Sequence, residues 1–229
     1  NNGYVVGNSD VYKRLTATIN ANYNIKPWLE VGTNNQIEYY TRQAVTAGSE
    51  YGSLLMSVLQ LDPLTKPSHS ADELPDNMKY ALSSGHTLLK GTDGQYYGLS
   101  TFQESDQYNP LVMRDKTYSI SKGFNVSGNI YANLKPLKHF TITSRLSYNL
   151  SGSTSYTVNN DFYANQTIYQ AYMSVSASAS VPIYVQWENF ANYDNTWGKH
   201  HLNVMAGTSF IQSNSFYVSA STSGGHNSD

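Results

Sequence analysis

The chain has 229 residues, and only 13% of them are charged, which is about half the usual share for a soluble domain. The mean hydropathy is nevertheless negative, at -0.47, because neutral polar residues and 20 tyrosines supply the polarity. The absence of cysteine excludes a disulfide framework and cysteine metal sites, and the net charge of -2 gives no indication of nucleic-acid binding. No apolar run approaches the roughly 20 residues of a membrane-spanning helix.

The first predicted element is a strand over residues 11–25, about three times as long as an ordinary strand. Successive side chains of a strand point to opposite faces, so its alternating sequence gives one apolar and one polar face. The apolar row consists of Val11, Leu15, Ala17, Ile19, Ala21, Tyr23 and Ile25, and Lys13 is its one interruption. This strand exceeds the about 9–11 residues with which a tilted strand crosses a membrane.

A short turn at residues 26–28 contains Pro27 and leads into a second alternating strand, in which Leu29, Val31, Ile37 and Tyr39 are apolar. A long insertion follows over residues 42–113, and residues 51–60 within it are predicted as a short helix. An insertion of this length is unusual in a compact soluble domain, whereas it is ordinary on the outer face of a large membrane barrel.

Four further alternating strands complete the pattern, with a shorter loop over residues 152–170 between the second and the third of them. These strands are predicted near residues 118–134, 140–150, 173–187 and 202–210. Two more short turns are predicted at residues 135–139 and 194–199. Long and short connections therefore alternate strictly, which is typical of a transmembrane barrel and not of a β-sandwich with balanced ends.

The predicted fold class is therefore all-β, an antiparallel segment of a transmembrane β-barrel. In a bilayer core only helices and closed barrels satisfy all backbone hydrogen bonds, and the sequence contains no apolar run long enough for a membrane-spanning helix. The apolar row would then contact lipid, and the polar row would line the interior. About six strands are too few to close a barrel, since bacterial barrels begin at about eight. Either further strands of a longer protein complete the barrel, or this piece pairs with other chains. Asn1 is not a natural start and Asp229 ends a Ser/Gly-rich stretch, so both ends are expected to be internal positions of a longer protein.

Particular segments resemble the barrel hairpins of SusC/RagA-type TonB-dependent outer-membrane transporters of Bacteroidota. They are Val11 to Arg14, Pro27 to Gly32, Trp187 to Asp194 and, most specifically, Gly198 to Gly207 with its H-x-L-x-V-x-x-G pattern. The resemblance implies a multi-pass outer-membrane protein, about six of whose roughly 22 strands are present, with residues 1–229 all in the barrel domain. The plug domain, the segment that contacts TonB and a signal sequence have no counterpart here.

The same resemblance implies a function for the parent protein. Such transporters import oligosaccharides or peptides, with a SusD-like lipoprotein over the outer loops and with TonB acting on the plug. Residues 42–113 and 152–170 would be extracellular, and the short turns would be periplasmic. Two alternatives stay open, a passive porin without a plug and a secreted carbohydrate-binding β-domain that uses Tyr and Trp as platforms.

Two sets of aromatic residues are candidate sites. Trp28, Trp197, Tyr23 and Tyr39 lie near strand ends and are predicted to anchor the barrel at the membrane interface. Tyr96, Tyr97 and Tyr108 lie in the long insertion and are predicted to contact the substrate, by stacking on a sugar. A loop hairpin with exposed tyrosines is the alternative reading of the segment around Tyr96.

No enzyme activity, metal or cofactor is expected. Glu30 and Glu38 are about 26 Å apart at strand rise, too far for a glycosidase pair. His200 and His201 are adjacent on a strand and point to opposite faces, so they cannot easily share a metal ion.

Overall fold

The structure is a computed structural model, and it describes residues 10–43, 53–102 and 108–225. The described residues are mostly strand, so the chain is all-β, as predicted. The elements in chain order are β1 (Val11–Lys26), β2 (Leu29–Gln43), α1 (Leu54–Gln60), β3 (Ser68–His69), a 3-10 turn (Ala71–Glu73), α2 (Asp76–Ser83), β4 (Tyr96–Tyr97), α3 (Pro110–Asp115), β5 (Thr117–Leu137), β6 (Phe140–Asn159), β7 (Phe162–Tyr163), β8 (Tyr169–Gln170), β9 (Met173–Trp197) and β10 (His200–Gly225). None of the described helices is long and apolar enough to cross a membrane.

Six long strands form one antiparallel sheet in the order β1-β2-β5-β6-β9-β10. They form three hairpins, each closed by a two-residue turn, which confirms the predicted pairing of consecutive strands. Three strands run well beyond their predicted ends, because β6 continues to Asn159, β9 to Trp197 and β10 to Gly225. Residues 152–159, which were expected to begin the second loop, are strand; all of them pair with β5, and residues 153–159 also pair with β9. Pro182 lies inside β9, where the pairing with β6 is interrupted but the pairing with β10 continues.

The register keeps apolar residues opposite apolar residues across the sheet. One row runs from Ala17 through Ile37, Val126 and Leu150 to Ile183. Directly paired residues of an antiparallel sheet point to the same face, so this row lies on one side. The neighbouring residues along each strand, such as Thr18, Gln36, Ser127, Asn149 and Tyr184, form a row on the other side. The sheet therefore has an apolar face and a polar face, as the alternation predicts.

The apolar face of the sheet is not covered by a second layer. Leu15 is 72% exposed, Ile130 55% and Phe210 61%, although these residues lie on different strands of the sheet. None of the buried apolar side chains that the structure describes belongs to the six long strands. A sandwich buries the inner faces of its two sheets against each other, so the described part of the chain is not a sandwich.

The core lies instead in a small folded unit at one end of the sheet, which we call the cap. The cap consists of residues 53–102, 108–116 and 160–172, and it joins the two long connections. Its two clusters of buried apolar side chains contain Leu89, Tyr97, Tyr108, Val112, Met113, Phe162 and Ala164, and Leu74, Met78, Ala81, Leu88 and Leu99. The short helix predicted within residues 51–60 is observed as α1, although residues 51 and 52 lie outside the described ranges.

Two contacts tie the second connection onto the first within the cap. The hydroxyl of Thr87 donates to Asp161 at 2.5 Å, and the amide of Tyr163 donates to the carbonyl of Thr87 at 2.8 Å. Asp161 is almost completely buried, and a buried carboxylate is costly unless hydrogen bonds satisfy it. The long insertion is thus a packed structure held to residues 160–172, and it projects from the end of the sheet opposite the three short turns.

Candidate membrane-facing wall and cap

Aromatic side chains lie near both ends of the apolar face. Tyr23, Trp28 and Trp197 are close to the short turns, whereas Tyr39 lies towards the cap and pairs with Leu15. These four predicted interface aromatics are all exposed, at 69%, 49%, 50% and 53% for Tyr23, Trp28, Trp197 and Tyr39. Tyr23 and Leu15 are separated on β1 by about 27 Å of strand, or ~21 Å along the normal at a tilt of about 40°. The apolar band of membrane barrels is about 25 Å tall, close to this separation.

Polar groups on the apolar face are paired with one another. The indole N–H of Trp187 donates to the hydroxyl of Ser144 at 3.1 Å. Asn35 accepts from the hydroxyl of Tyr148 and donates to the hydroxyl of Thr33 at 2.7 Å. An unpaired polar group costs much more in hydrocarbon than in water, so this pairing suits a face that contacts an apolar medium. The sequence pattern did not predict the hydrogen bond between Asn35 and Tyr148, because these residues are 113 positions apart.

The polar face carries charged side chains that form long ion pairs. Arg14 lies 3.5 Å from Glu38, and Lys135 lies 3.9 Å from Glu30. These pairs are partly exposed to solvent, so each contributes little to stability. All four residues lie on the polar strand face or at its edge.

Two buried atoms of the polar face have no hydrogen-bond partner among the described residues. They are Nε of Arg145 and Oδ1 of Asn125. The guanidinium of Arg145 lies 5.7 Å from the ring centroid of Phe190. Both atoms are shielded from solvent, so each is a buried polar group without a hydrogen bond.

A cluster of ionisable side chains fixes the cap to the start of β5. Arg114 donates from Nε and Nη2 to the two carboxylate oxygens of Asp115, both at 2.6 Å, and Tyr97 donates to the same carboxylate. Burial, reinforced by the negative charge of Asp115, raises the pKa of Tyr97 to about 12. Lys116 donates to the hydroxyl of Tyr108 at 2.7 Å, and burial lowers the pKa of this lysine. These groups hold the cap together, and Asp115 also lines a pocket of 440 Å³ with Lys90 and Tyr96.

The structure separates the three predicted substrate-contacting tyrosines. Tyr97 and Tyr108 are only 4% and 5% exposed and belong to the core of the cap. Their rings already contact other side chains, so in this arrangement they are not available to stack on a sugar. Tyr96 is partly exposed, and the ammonium of Lys90 lies 4.9 Å from its ring centroid. The prediction of substrate contact therefore remains for Tyr96 alone.

A different part of the cap combines exposed aromatic and polar groups. A cleft of 340 Å³ lies between the end of α2 and the loop before β8, and its lining includes Tyr80, Tyr163 and Asn165. The ring of His86 stacks on Tyr163 at 4.2 Å between centroids, and burial raises the pKa of that tyrosine. Sequence reasoning missed this cleft because two segments about 80 residues apart form it, and only folding of the cap brings them together.

Histidine and carboxylate side chains do not gather into a metal site. Within the described ranges no three His, Asp or Glu residues lie close enough to hold an ion together. His200 and His201 are consecutive residues of β10, and His201 lies 3.6 Å from Asp194 at the turn end of the sheet.

No protein-family model matches this sequence, and no curated protein matches it. Among solved structures, the chain is similar to the RagAB peptide importer in the "open-open" state, with a TM-score of 0.62 and 16% identity over 95% of this chain. It is equally similar, at a TM-score of 0.62, to a structure of the RagAB peptide transporter with 17% identity and to the "closed-closed" state with 16% identity. The chain spans 22% of the length of each of these matched chains. These similarities establish a shared fold.

Proposed function

We propose that this chain is part of the wall of an outer-membrane transporter of the SusC/RagA type, with its apolar face against lipid. The observation that carries the proposal is the single-layer sheet, whose apolar face is continuous over six strands and uncovered by any described residue. In water an apolar face of this extent would be driven to bury itself. In a bilayer the same face needs no cover, and the polar face would line the interior, where a plug would meet Arg145 and Asn125.

The unpaired edges of the sheet and the short length of the chain relative to the matched structures support the same proposal. The outer edges of β1 and β10 have no strand partner among the described residues, whereas a barrel leaves no open edge. The fold is shared with structures of the RagAB peptide importer, of whose chain this sequence spans 22%. Further strands of a longer protein would complete the wall. Trp28, Trp197, Tyr23 and Tyr39 would then anchor it at the two interfaces.

The proposed cargo is an oligosaccharide or a peptide, and the proposed partners are a SusD-like lipoprotein over the cap and TonB acting through a plug. The folded cap supports this assignment, because it offers an ordered surface on which a lid protein could rest. The cleft beside Tyr80 and Tyr163 supports it too, because exposed rings and amides suit both sugars and peptides. Of the two proposed cargoes, a peptide is favoured, because the similar solved structures are of a peptide importer.

Cysteine labelling of intact cells tests the orientation. Ser84 is an exposed residue of the cap, and Lys138 is an exposed residue of a short turn. We expect a membrane-impermeant maleimide to label S84C in intact cells and to label K138C only after the outer membrane is opened. The opposite result would reverse the orientation, and labelling of both sites in a soluble fraction would refute the membrane wall.

Uptake measurements test transport and separate it from a passive pore. Cells that express the parent protein should take up labelled peptides or oligosaccharides, and uptake should stop when TonB is depleted. Uptake that continues without TonB would support the porin alternative. A SusD-like lipoprotein should co-purify with the parent protein. Loss of this co-purification when the cap is deleted would support the proposed lid.

A further inference from the structure

Two lysines interrupt the apolar face at the same height. Lys13 of β1 and Lys122 of β5 are both directly paired with Thr41 of the strand between them. All three side chains therefore point to the apolar face, and adjacent strands are about 4.8 Å apart, so the two lysine backbones lie roughly 10 Å apart. Both lysines are exposed, and neither forms an ion pair with a residue that the structure describes.

The lysine row lies near the cap-side end of the apolar band, with a further mostly apolar row of Val11, Ile120 and Tyr156 beyond it. The row two residues nearer the turns contains Leu15, Tyr39 and Phe124. A charged side chain in the hydrocarbon is costly, and lysine near a boundary extends its ammonium into the headgroup layer while its stem stays in contact with apolar groups. Two ammonium groups are thus placed near the level where lipid phosphates lie, and within the described ranges neither is paired with a carboxylate.

A shallow groove begins at the same row. It has a volume of 570 Å³, and Lys122, Thr154 and Tyr156 form one side of it. The other side consists of small or apolar side chains on β9 and β10, namely Ala177, Ala179, Val218 and Ala220. The groove is therefore cationic at one end, lined with hydroxyl and apolar groups, and open towards the lipid side of the sheet. It suits a ligand with a phosphate and an adjoining ring or chain.

We propose that Lys13 and Lys122 bind the phosphate of a phosphorylated glycolipid in the leaflet at the cap end, and that the groove beside Lys122 holds its sugar. Charge complementarity selects this occupant, because Lys122 at the edge of the groove and Lys13 two strands away are both cations, and the groove lining contains no Asp or Glu. The inference rests on the proposed function, since it requires that the apolar face contacts lipid. It assigns to the outside of the wall a lipid site that is separate from the transport path.

Binding to the purified parent protein in nanodiscs tests the inference. The probes are diphosphorylated lipid A, the same lipid A after phosphatase treatment, and inorganic phosphate. The variant is K13Q/K122Q, and the matched control is K138Q/K199Q, which removes the same charge from the short turns. We expect about 25-fold weaker binding of diphosphorylated lipid A by K13Q/K122Q, since each lysine near an anionic lipid contributes about fivefold. The control should bind as the wild type does.

Other outcomes would overturn the inference. Equal binding of phosphorylated and dephosphorylated lipid A would show that the phosphate is not recognised. Equally weakened binding by K13Q/K122Q and K138Q/K199Q would show that binding depends on net charge and not on these two lysines. If inorganic phosphate competes at low concentration, the site binds the free anion and not a lipid. K13R/K122R keeps both charges and should bind within a fewfold of the wild type, so it remains informative if K13Q/K122Q assembles poorly.

The labelling of S84C and K138C distinguishes failure of the proposed lipid site from failure of the proposed function. If labelling supports a membrane wall and K13Q/K122Q still binds lipid A normally, only the lipid site is wrong. If labelling finds a soluble protein, the proposed function fails, and the lipid site fails with it.

Discussion

A single strand of the sheet allows the proposed lipid contact to be tested with two adjacent residues. Leu150 lies on the apolar face, 37% exposed, between Val126 and Ile183. Asn149 precedes it and points to the polar face. L150R and N149R therefore introduce the same side chain at nearly the same depth on opposite faces of β6, so their difference isolates the medium that each face contacts.

The magnitude follows from the cost of charge in a bilayer. Arginine on the lipid face of a membrane barrel costs about 2–4 kcal/mol at the midplane. Leu150 lies within the band but off its centre, so we take about 2 kcal/mol, which is roughly a 30-fold change in the equilibrium constant for unfolding. An arginine on a water-exposed surface usually changes stability by less than about 0.5 kcal/mol. N149R should fall within this smaller range.

Guanidinium titration of the parent protein reconstituted in phospholipid vesicles measures the difference. We expect L150R to lower the unfolding midpoint clearly, and N149R to lower it little, at an unchanged denaturant slope. The reasoning is refuted if L150R is no more destabilised than N149R. A single-layer sheet exposed to water on both faces would give that result, because replacing an exposed leucine with arginine would then be nearly neutral.

Three further predictions concern the cap and the tryptophans. A Cβ at Gly98 would lie 2.0 Å from a backbone carbonyl oxygen, so G98A should destabilise the cap by about 1–3 kcal/mol and speed its limited proteolysis. A hydrogen bond from Ser100 lowers the pKa of Asp62 below its ordinary value of 3.8, so the stability that this carboxylate contributes is complete above that value and is lost as the pH falls below it. Amide hydrogen exchange of the cap should show this acid step in the wild type and not in D62N. In single-tryptophan variants, lipids brominated deep in their acyl chains should quench the fluorescence of Trp187 most strongly, and lipids brominated near the headgroup should quench that of Trp28 most strongly. The reverse order would contradict the assigned depths.

The period of the sequence pattern was sufficient to predict the sheet. A shift of register by one residue would turn every apolar side chain to the other face, so a strongly two-sided strand has one satisfactory register. The observed pairing of Leu15 with Tyr39 and of Ile37 with Val126 follows from that constraint. The turns were predictable for the same reason, since Pro27 and Gly198 interrupt the alternation between consecutive strands.

The extension of β6 was not predictable from its own residues. Residues 151–159 are mainly Ser, Thr, Gly and Asn, and they resemble a loop in composition. They are strand because β5 and β9 continue on both sides and provide hydrogen-bond partners, such as Thr117 for Asn159 and Ala177 for Tyr156. Sheet neighbours can thus override a weak local preference.

The cap was unpredictable for a related reason. Its core forms between segments far apart in the chain, as the hydrogen bond of Thr87 to Asp161 illustrates. A tyrosine that is exposed in a loop and a tyrosine that is buried in a folded insertion have the same local sequence signal. Tyr97 and Tyr108 were therefore predicted as contacts for a substrate and are found in the core, whereas the more exposed Tyr80 was not flagged.

The last strand of the sheet provides an argument about what adjoins it. β10 spans 26 residues, all exposed, and contains no Asp, Glu, Lys or Arg. Soluble proteins protect edge strands with charges, prolines, bulges or short length, because a long flat edge pairs with other chains. β10 has almost none of these features, so the proposed wall requires that another strand pairs with it. We therefore expect the isolated 229-residue chain to aggregate in water without detergent. A monodisperse, folded chain in detergent-free sedimentation would contradict this inference, because an unprotected edge of this length and an open apolar face cannot both remain in water.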